Sequence, residues 1–154
     1  MAGYKKLFTV DEANATLPLV RAIAKDLASL AREVIERRER LSLLTGGRES
    51  SGDDLYREEL TQIEEELEKD SLRLQDYVDE LRQLGVEPKN ALEGLVDFPS
   101  QMDDRVVYLC WKLGEPEVLH WHELNTGFAG RQSLVAGSLA DDAAGEEDGP
   151  AFES

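Results

Sequence analysis

Ile23-Ala24-Lys25-Asp26-Leu27-Ala28-Ser29-Leu30-Ala31-Arg32-Glu33-Val34 opens the stretch, continuing to Leu44, whose reading decides the fold. Its large apolar residues Ile23, Leu27, Leu30, Val34, Leu41 and Leu44 follow at separations of 4, 3, 4, 7 and 3. That is a heptad stripe, one side of a coiled coil, with Arg37 or Arg38 in the missing slot. Upstream, Thr9-Val10-Asp11-Glu12 is a T-x-x-E capping box that predicts a helix starting at Val10. Pro18 lacks an amide hydrogen and clashes with the carbonyl four residues back, which predicts a break near Thr16 and a second helix with Pro18 in its first turn.

Downstream, Thr45 to Asp53 carries three glycines and three hydroxyl residues and reads as a loop, with Ser51 to Asp54 as a second box. The next helix is expected near Asp54. Its stripe is Leu60, Ile63, Leu67, Leu74, Tyr77, Leu81 and Leu84, with Asp70 in a gap of its own. Gly85 reads as the left-handed residue that ends it, with Val86 folding back on Leu81, and Pro88 blocks continuation. Two helices joined by a short loop run antiparallel. Each would reach on the order of 40 to 45 Å at 1.5 Å per residue, so the hairpin over 18–84 either protrudes from its own domain or pairs with a second copy.

Beyond Pro88 the periodicity changes to alternation. Leu92 to Phe98 predicts a short strand closed by Pro99, and Ser100 to Asp104 a polar turn. Arg105 to Leu113 (RVVYLCWKL) is dense in branched and aromatic residues and reads as a central strand. Gly114 to Glu117 predicts a turn and Val118 to Leu124 the returning strand. The expected class is α+β: a long, coiled-coil-like helical hairpin followed by a three-stranded antiparallel sheet over 92–124, within one domain spanning 1–135.

The chain has 154 residues, 41% hydrophobic and 32% charged, enough to bury the core of one soluble domain. Asp141, Asp142, Glu146, Glu147, Asp148 and Glu153 lie beyond Ala136 with no base among them, in a segment poor in large apolar residues. Residues 136–154 are therefore expected to be a disordered acidic tail. The net charge of -16 argues against nucleic acid, whose phosphates require a basic stripe. Neither a signal peptide nor an apolar run of membrane-spanning length is read, so no membrane partner is expected and the expected address is the cytoplasm. One cysteine agrees with a reducing compartment.

The two histidines, His120 and His122, are spaced H-x-H, which on a strand puts both imidazoles on one face. Neutral imidazole is a ligand for zinc, iron, nickel or copper, and such a site needs at least one more donor. Asp97 is the carboxylate best placed to supply it if its strand is a neighbour. Glu123 reaches the same face only across a bulge. His122-Glu123-Leu124-Asn125-Thr126 begins like H-E-x-x-H but has threonine at the second histidine position, so it is not a zincin helix. Read through a tight hairpin in which Gly114 faces Glu117, Cys110 opposes Trp121 and lies on the other face, as a small core residue. The competing structural reading is a pair of half-buried histidines beside Trp111 and Trp121. Asn125 to Arg131 closes two glycines, Gly127 and Gly130, on Arg131, a loop that either offers amides and a guanidinium to a small anion or pairs Arg131 with an acid such as Glu123 or Asp97.

Phe8 to Asn14 with Leu17-Pro18, then Gly94-Leu95-Val96-Asp97-Phe98-Pro99, Leu109 to Glu115, Trp121-His122-Glu123 and Gly127 to Arg131 together resemble the bacterial family known as domain of unknown function 2203. The resemblance runs from about Phe8 to Leu134 and brings no activity. It implies that Asp97, Trp111, His122, Glu123, Gly127, Gly130 and Arg131 belong to the family pattern, a polar cluster at the sheet, and leaves His120 outside it. Two functions follow as expectations. One is an interaction or scaffold protein that forms a homodimer through the hairpin. The other is a metal- or small-anion-binding protein, or an enzyme, with a divalent transition metal such as zinc at Asp97, His120, His122 and Glu123.

Overall fold

The capping box closes as the sequence predicts: the Thr9 amide donates to Glu12 Oε1 and the Glu12 amide to Thr9 Oγ1, each at 3.0 Å. In the computed structural model, which describes residues 4–46 and 54–134, helix α1 then runs unbroken from Val10 to Gly46. The break expected near Thr16 does not occur. Pro18 is exposed, on the side of α1 away from the core. Ala13, Leu17, Val20, Ile23, Ala24 and Leu27 on the other side are all buried in the core. Burial of such a face at about 1.5–3 kcal/mol per large side chain exceeds the roughly 3 kcal/mol cost of an internal proline.

Helix α2 spans Asp54–Gln83 and returns antiparallel to α1. The loop and second box predicted between them fall mostly on residues 47–53, outside the described residues, as does the tail predicted for 136–154. α2 ends in a Schellman motif: Gly85 has φ +92°, its amide donates to the Arg82 carbonyl at 2.9 Å, and the Val86 amide to that of Leu81 at 3.0 Å. The two polar interruptions of the stripes meet. Arg37 hydrogen-bonds Asp70, which is 5% exposed, and its Nε reaches Glu66 at 3.2 Å. No residue of α1 beyond Val34 is buried, so the outer half of the hairpin extends past the core, as the stripe lengths imply.

The sheet has five strands among the described residues, in the order β1-β2-β3-β4-β5 with every neighbouring pair antiparallel, where the sequence predicts three. They are β1 (Glu87–Asn90), β2 (Leu95–Met102), β3 (Arg105–Lys112), β4 (His120–His122) and β5 (Gln132–Ser133). Pro88, read as a terminator, sits on the edge strand β1, where a missing amide is tolerated. β2 begins three residues later than expected and runs through Pro99. β1 does not reach that far, and the Pro99 carbonyl accepts the Phe8 amide at 2.7 Å instead. β3 is the central strand, as predicted.

The largest difference lies after β3. No tight Gly114–Glu117 hairpin forms, because the loop is tied to α1: the Val118 amide donates to Asn14 Oδ1 at 2.7 Å and Arg21 donates to the Pro116 carbonyl at 3.0 Å. β4 is consequently three residues long, and Cys110 pairs with His120 rather than with Trp121. Val96, Phe98, Leu109, Trp111 and Val118 pack with both helices into one core. No helix among the described residues is long and apolar enough to cross a membrane.

The helical ion pair has unequal sides, because Asp70 is nearly sealed while the Arg37 side chain is 31% exposed. Arg37→Leu is therefore expected to destabilise by about 3 kcal/mol, leaving a buried carboxylate with only the more distant Arg73 beside it. Asp70→Leu should cost clearly less, and the double substitution should recover most of the loss. Urea unfolding of the three variants checks this ordering.

Candidate functional site

Alternation along each strand sends successive side chains to opposite faces of the sheet. With Val96, Phe98, Leu109 and Trp111 facing the helices, Leu95 and Asp97, Tyr108 and Cys110, and His120 and His122 face the other way. The register places Asp97 opposite Cys110, and Cys110 opposite His120. His122 lies one row away on the same face and reaches diagonally across β3 to Asp97. The segment after β4 covers this second face with Leu124, Gly127 and Phe128.

His122 is 2% exposed and both its ring nitrogens are engaged. Nδ1 lies 2.7 Å from the Glu123 carbonyl. A carbonyl only accepts, so Nδ1 carries a proton. Nε2 lies 3.1 and 3.0 Å from the two oxygens of Asp97, itself 1% exposed. Burial works against a charged ring, but the Asp97 and Glu123 hydrogen bonds outweigh it and raise the His122 pKa above its ordinary value. Cys110 is fully buried beside the same carboxylate. Burial first, and the negative Asp97 second, push its thiol up to about 12. A carboxylate oxygen of Asp97, Cys110 Sγ and a ring nitrogen of His122 all lie within 4.8 Å of one another. They line a pocket of about 150 Å³ together with Leu95, Tyr108, Leu124, Gly127, Phe128 and Lys89. Tyr108 is held as a neutral phenol, its pKa raised to about 12 by burial and by its hydrogen bond with Tyr4.

The remaining predicted residues form separate groups. His120 Nδ1 accepts a hydrogen bond from Arg131 Nη2 at 2.6 Å, and the same nitrogen of Arg131 donates to the Glu115 carboxylate at 2.9 and 2.7 Å. The Arg131 side chain is 8% exposed and its guanidinium stacks 4.5 Å from the Phe128 ring centroid. Its acid partner is thus Glu115, not Asp97 or Glu123. Burial and the Arg131 charge lower the His120 pKa against the pull of Glu115. Gly130 is required by close packing, since a Cβ there would come within 2.5 Å of Thr126. Glu123 points away from the site and makes two bonds to Arg105, at 3.0 and 2.7 Å. Of the four predicted metal ligands, the fold therefore gathers Asp97 and His122 and gives His120 and Glu123 other partners.

The residue that sequence reasoning misses is Cys110. The tight-hairpin assumption is off by one position, and with a period of two that moves the thiol to the opposite face. No local signal corrects this, because the loop is shaped by Asn14 and Arg21, about a hundred residues away in the chain.

The family model described as Uncharacterized conserved protein (DUF2203) matches residues 6–134. No curated protein and no solved structure matches the chain.

The two histidines give a direct check of the site. In the metal-free protein, NMR titration is expected to show His122 titrating above 6.5 and His120 below it. The sign for stability follows. The raised His122 pKa contributes stability that is complete below about pH 6.5 and is lost as pH rises through the folded value, whereas the lowered His120 pKa removes stability as pH falls below 6.5. Two superimposable curves near 6.5 would contradict the geometry.

Proposed function

Since the chain belongs to the family of uncharacterized conserved proteins (DUF2203), whose description names no activity, the reading rests on the site, and we propose that the protein binds a divalent transition metal, zinc, through Asp97, Cys110 and His122. One observation carries this: three different ligand atoms, all buried, converge within 4.8 Å in a pocket. A thiolate, an imidazole nitrogen and a carboxylate oxygen form a donor set suited to zinc, and hard cations such as magnesium prefer oxygen alone.

Two further features support it. The His122 Nδ1 hydrogen bond to the Glu123 carbonyl is the outer contact that fixes the tautomer and aims Nε2 at a metal. Charge balance also favours exchange. Replacing the Nε2 proton and the thiol proton by a divalent ion leaves the buried net charge unchanged, so neither state strands an uncompensated charge. Three protein ligands and a pocket leave a fourth position for water or substrate, the pattern of catalytic rather than structural zinc. A zinc-bound water there would be acidified towards neutral pH.

Zinc titration of untagged protein, read by equilibrium dialysis and elemental analysis, should give one ion per chain, with affinity rising with pH as the ligands lose protons. Cys110→Ser and His122→Ala should each weaken binding by about 100-fold or more, while His120→Ala and Glu123→Gln retain it. Bound zinc should also raise the melting temperature, by mass action on the folded state. A wild-type chain that takes up no metal, or a Cys110→Ser variant with full affinity, would refute the assignment.

A second reading, self-association through the hairpin, is favoured by a separate observation: Leu43, Leu55 and Leu72 are 79%, 74% and 65% exposed on its two helices. Sedimentation equilibrium at micromolar concentration is expected to show a dimer that the double substitution Leu43→Glu and Leu55→Glu dissociates. A wild-type monomer throughout the concentration range excludes it.

A further inference from the structure

Pro88 of β1 pairs with Val96 and Asn90 pairs with Leu95, so Lys89 is the extra residue of a β-bulge. Glu87 pairs with Asp97, so the period of two along β1 puts Lys89 on the face of the sheet that carries Asp97. Its side chain lines the same pocket as Asp97, Cys110 and His122, with its ammonium 5.1 Å from the Tyr108 ring centroid. Lys89 has no carboxylate within ion-pair distance among the described residues, although acids outnumber bases almost two to one in the chain. Lys89 is exposed, so its ammonium stands at the solvent side of the pocket, where an anionic group entering the pocket can meet it.

We propose that the pocket binds a small organic monocarboxylate, one oxygen taking the open position of the metal held by Asp97, Cys110 and His122 and the other facing Lys89. The proposal rests on the metal reading above and names its ligand class. Three considerations select that class. The first is charge: a divalent ion with the Asp97 carboxylate and the Cys110 thiolate is neutral, so one carboxylate balances the one ammonium, and a dianion would leave an excess negative charge in a protein of net charge -16. The second is the wall: Leu95, Leu124 and Phe128 offer apolar surface to a hydrocarbon body, and among the described residues Lys89 is the one cationic side chain in the lining. The third is size: about 150 Å³ admits a short branched or cyclic acid and excludes a nucleotide.

The test uses the full chain loaded with cobalt(II), whose visible absorption reports a change of ligand at the metal. Isobutyrate should shift the cobalt bands saturably, while isobutylamine and isobutanol do not and inorganic phosphate does so only at much higher concentration. Lys89→Met should weaken isobutyrate by about tenfold or more without weakening cobalt binding, and Lys89→Arg should restore most of the loss. Failure to take up cobalt overturns this proposal together with the metal reading. Cobalt uptake without a response to isobutyrate, a stronger response to phosphate, or a Lys89→Met variant that binds isobutyrate as well as wild type overturns this proposal alone.

Discussion

The pairing register between β3 and β4 is the constraint on which the rest of the site depends. Strand side chains alternate, so a shift of one residue between β3 and β4 would carry His122 to the opposite face and leave Asp97 and Cys110, paired across β2 and β3, without an imidazole. The observed register places Cys110 opposite His120 and is held from outside the sheet, by Asn14 and Arg21 of α1 gripping the Val118 amide and the Pro116 carbonyl. The same loop is braced from within, since Trp111 Nε1 donates to the Glu115 carbonyl at 2.9 Å and the Lys112 amide to Glu115 Oε1 at 3.0 Å. Packing of the sheet on α1 and construction of the site are thus one event.

Glu115 links the two polar clusters on this face. It orients the loop that sets the register, and it also holds Arg131, which in turn hydrogen-bonds His120. Two histidines two residues apart on one strand consequently reside in opposite electrostatic settings. His122 faces a buried carboxylate that favours its charged form, and His120 faces a buried guanidinium that favours its neutral form. Burial disfavours the charged form of both rings, and the partner decides whether that is reinforced, by Arg131 at His120, or overcome, by Asp97 at His122.

The helical hairpin is organised by a different interaction. Leucine stripes supply burial but tolerate sliding in steps of a heptad, whereas Arg37 and Asp70 meet in only one alignment. A polar pair within an apolar seam selects register at some cost in stability. The proline in α1 is accommodated for a related reason: the helix is held by its buried face, so a missing hydrogen bond on the exposed face does not interrupt it.

The sequence by itself determined what is local or periodic. The Thr9–Glu12 box, the Gly85 terminator, the two stripes with their polar gaps, the central strand at Arg105, the H-x-H pair and the carboxylate at Asp97 were all legible, because each depends on residues within a few positions or on a repeating pattern. The family resemblance was legible for the same reason. Tertiary structure alone decided whether α1 survives Pro18, that the short segments Glu87–Asn90 and Gln132–Ser133 become strands, and which residues share the site. Those two strands are too short to carry a periodicity of their own and exist because a neighbouring edge pairs with them. Cys110 and Lys89 join the pocket through the pairing registers of their strands, which are set by contacts between separate segments of the chain, to which no local pattern is sensitive.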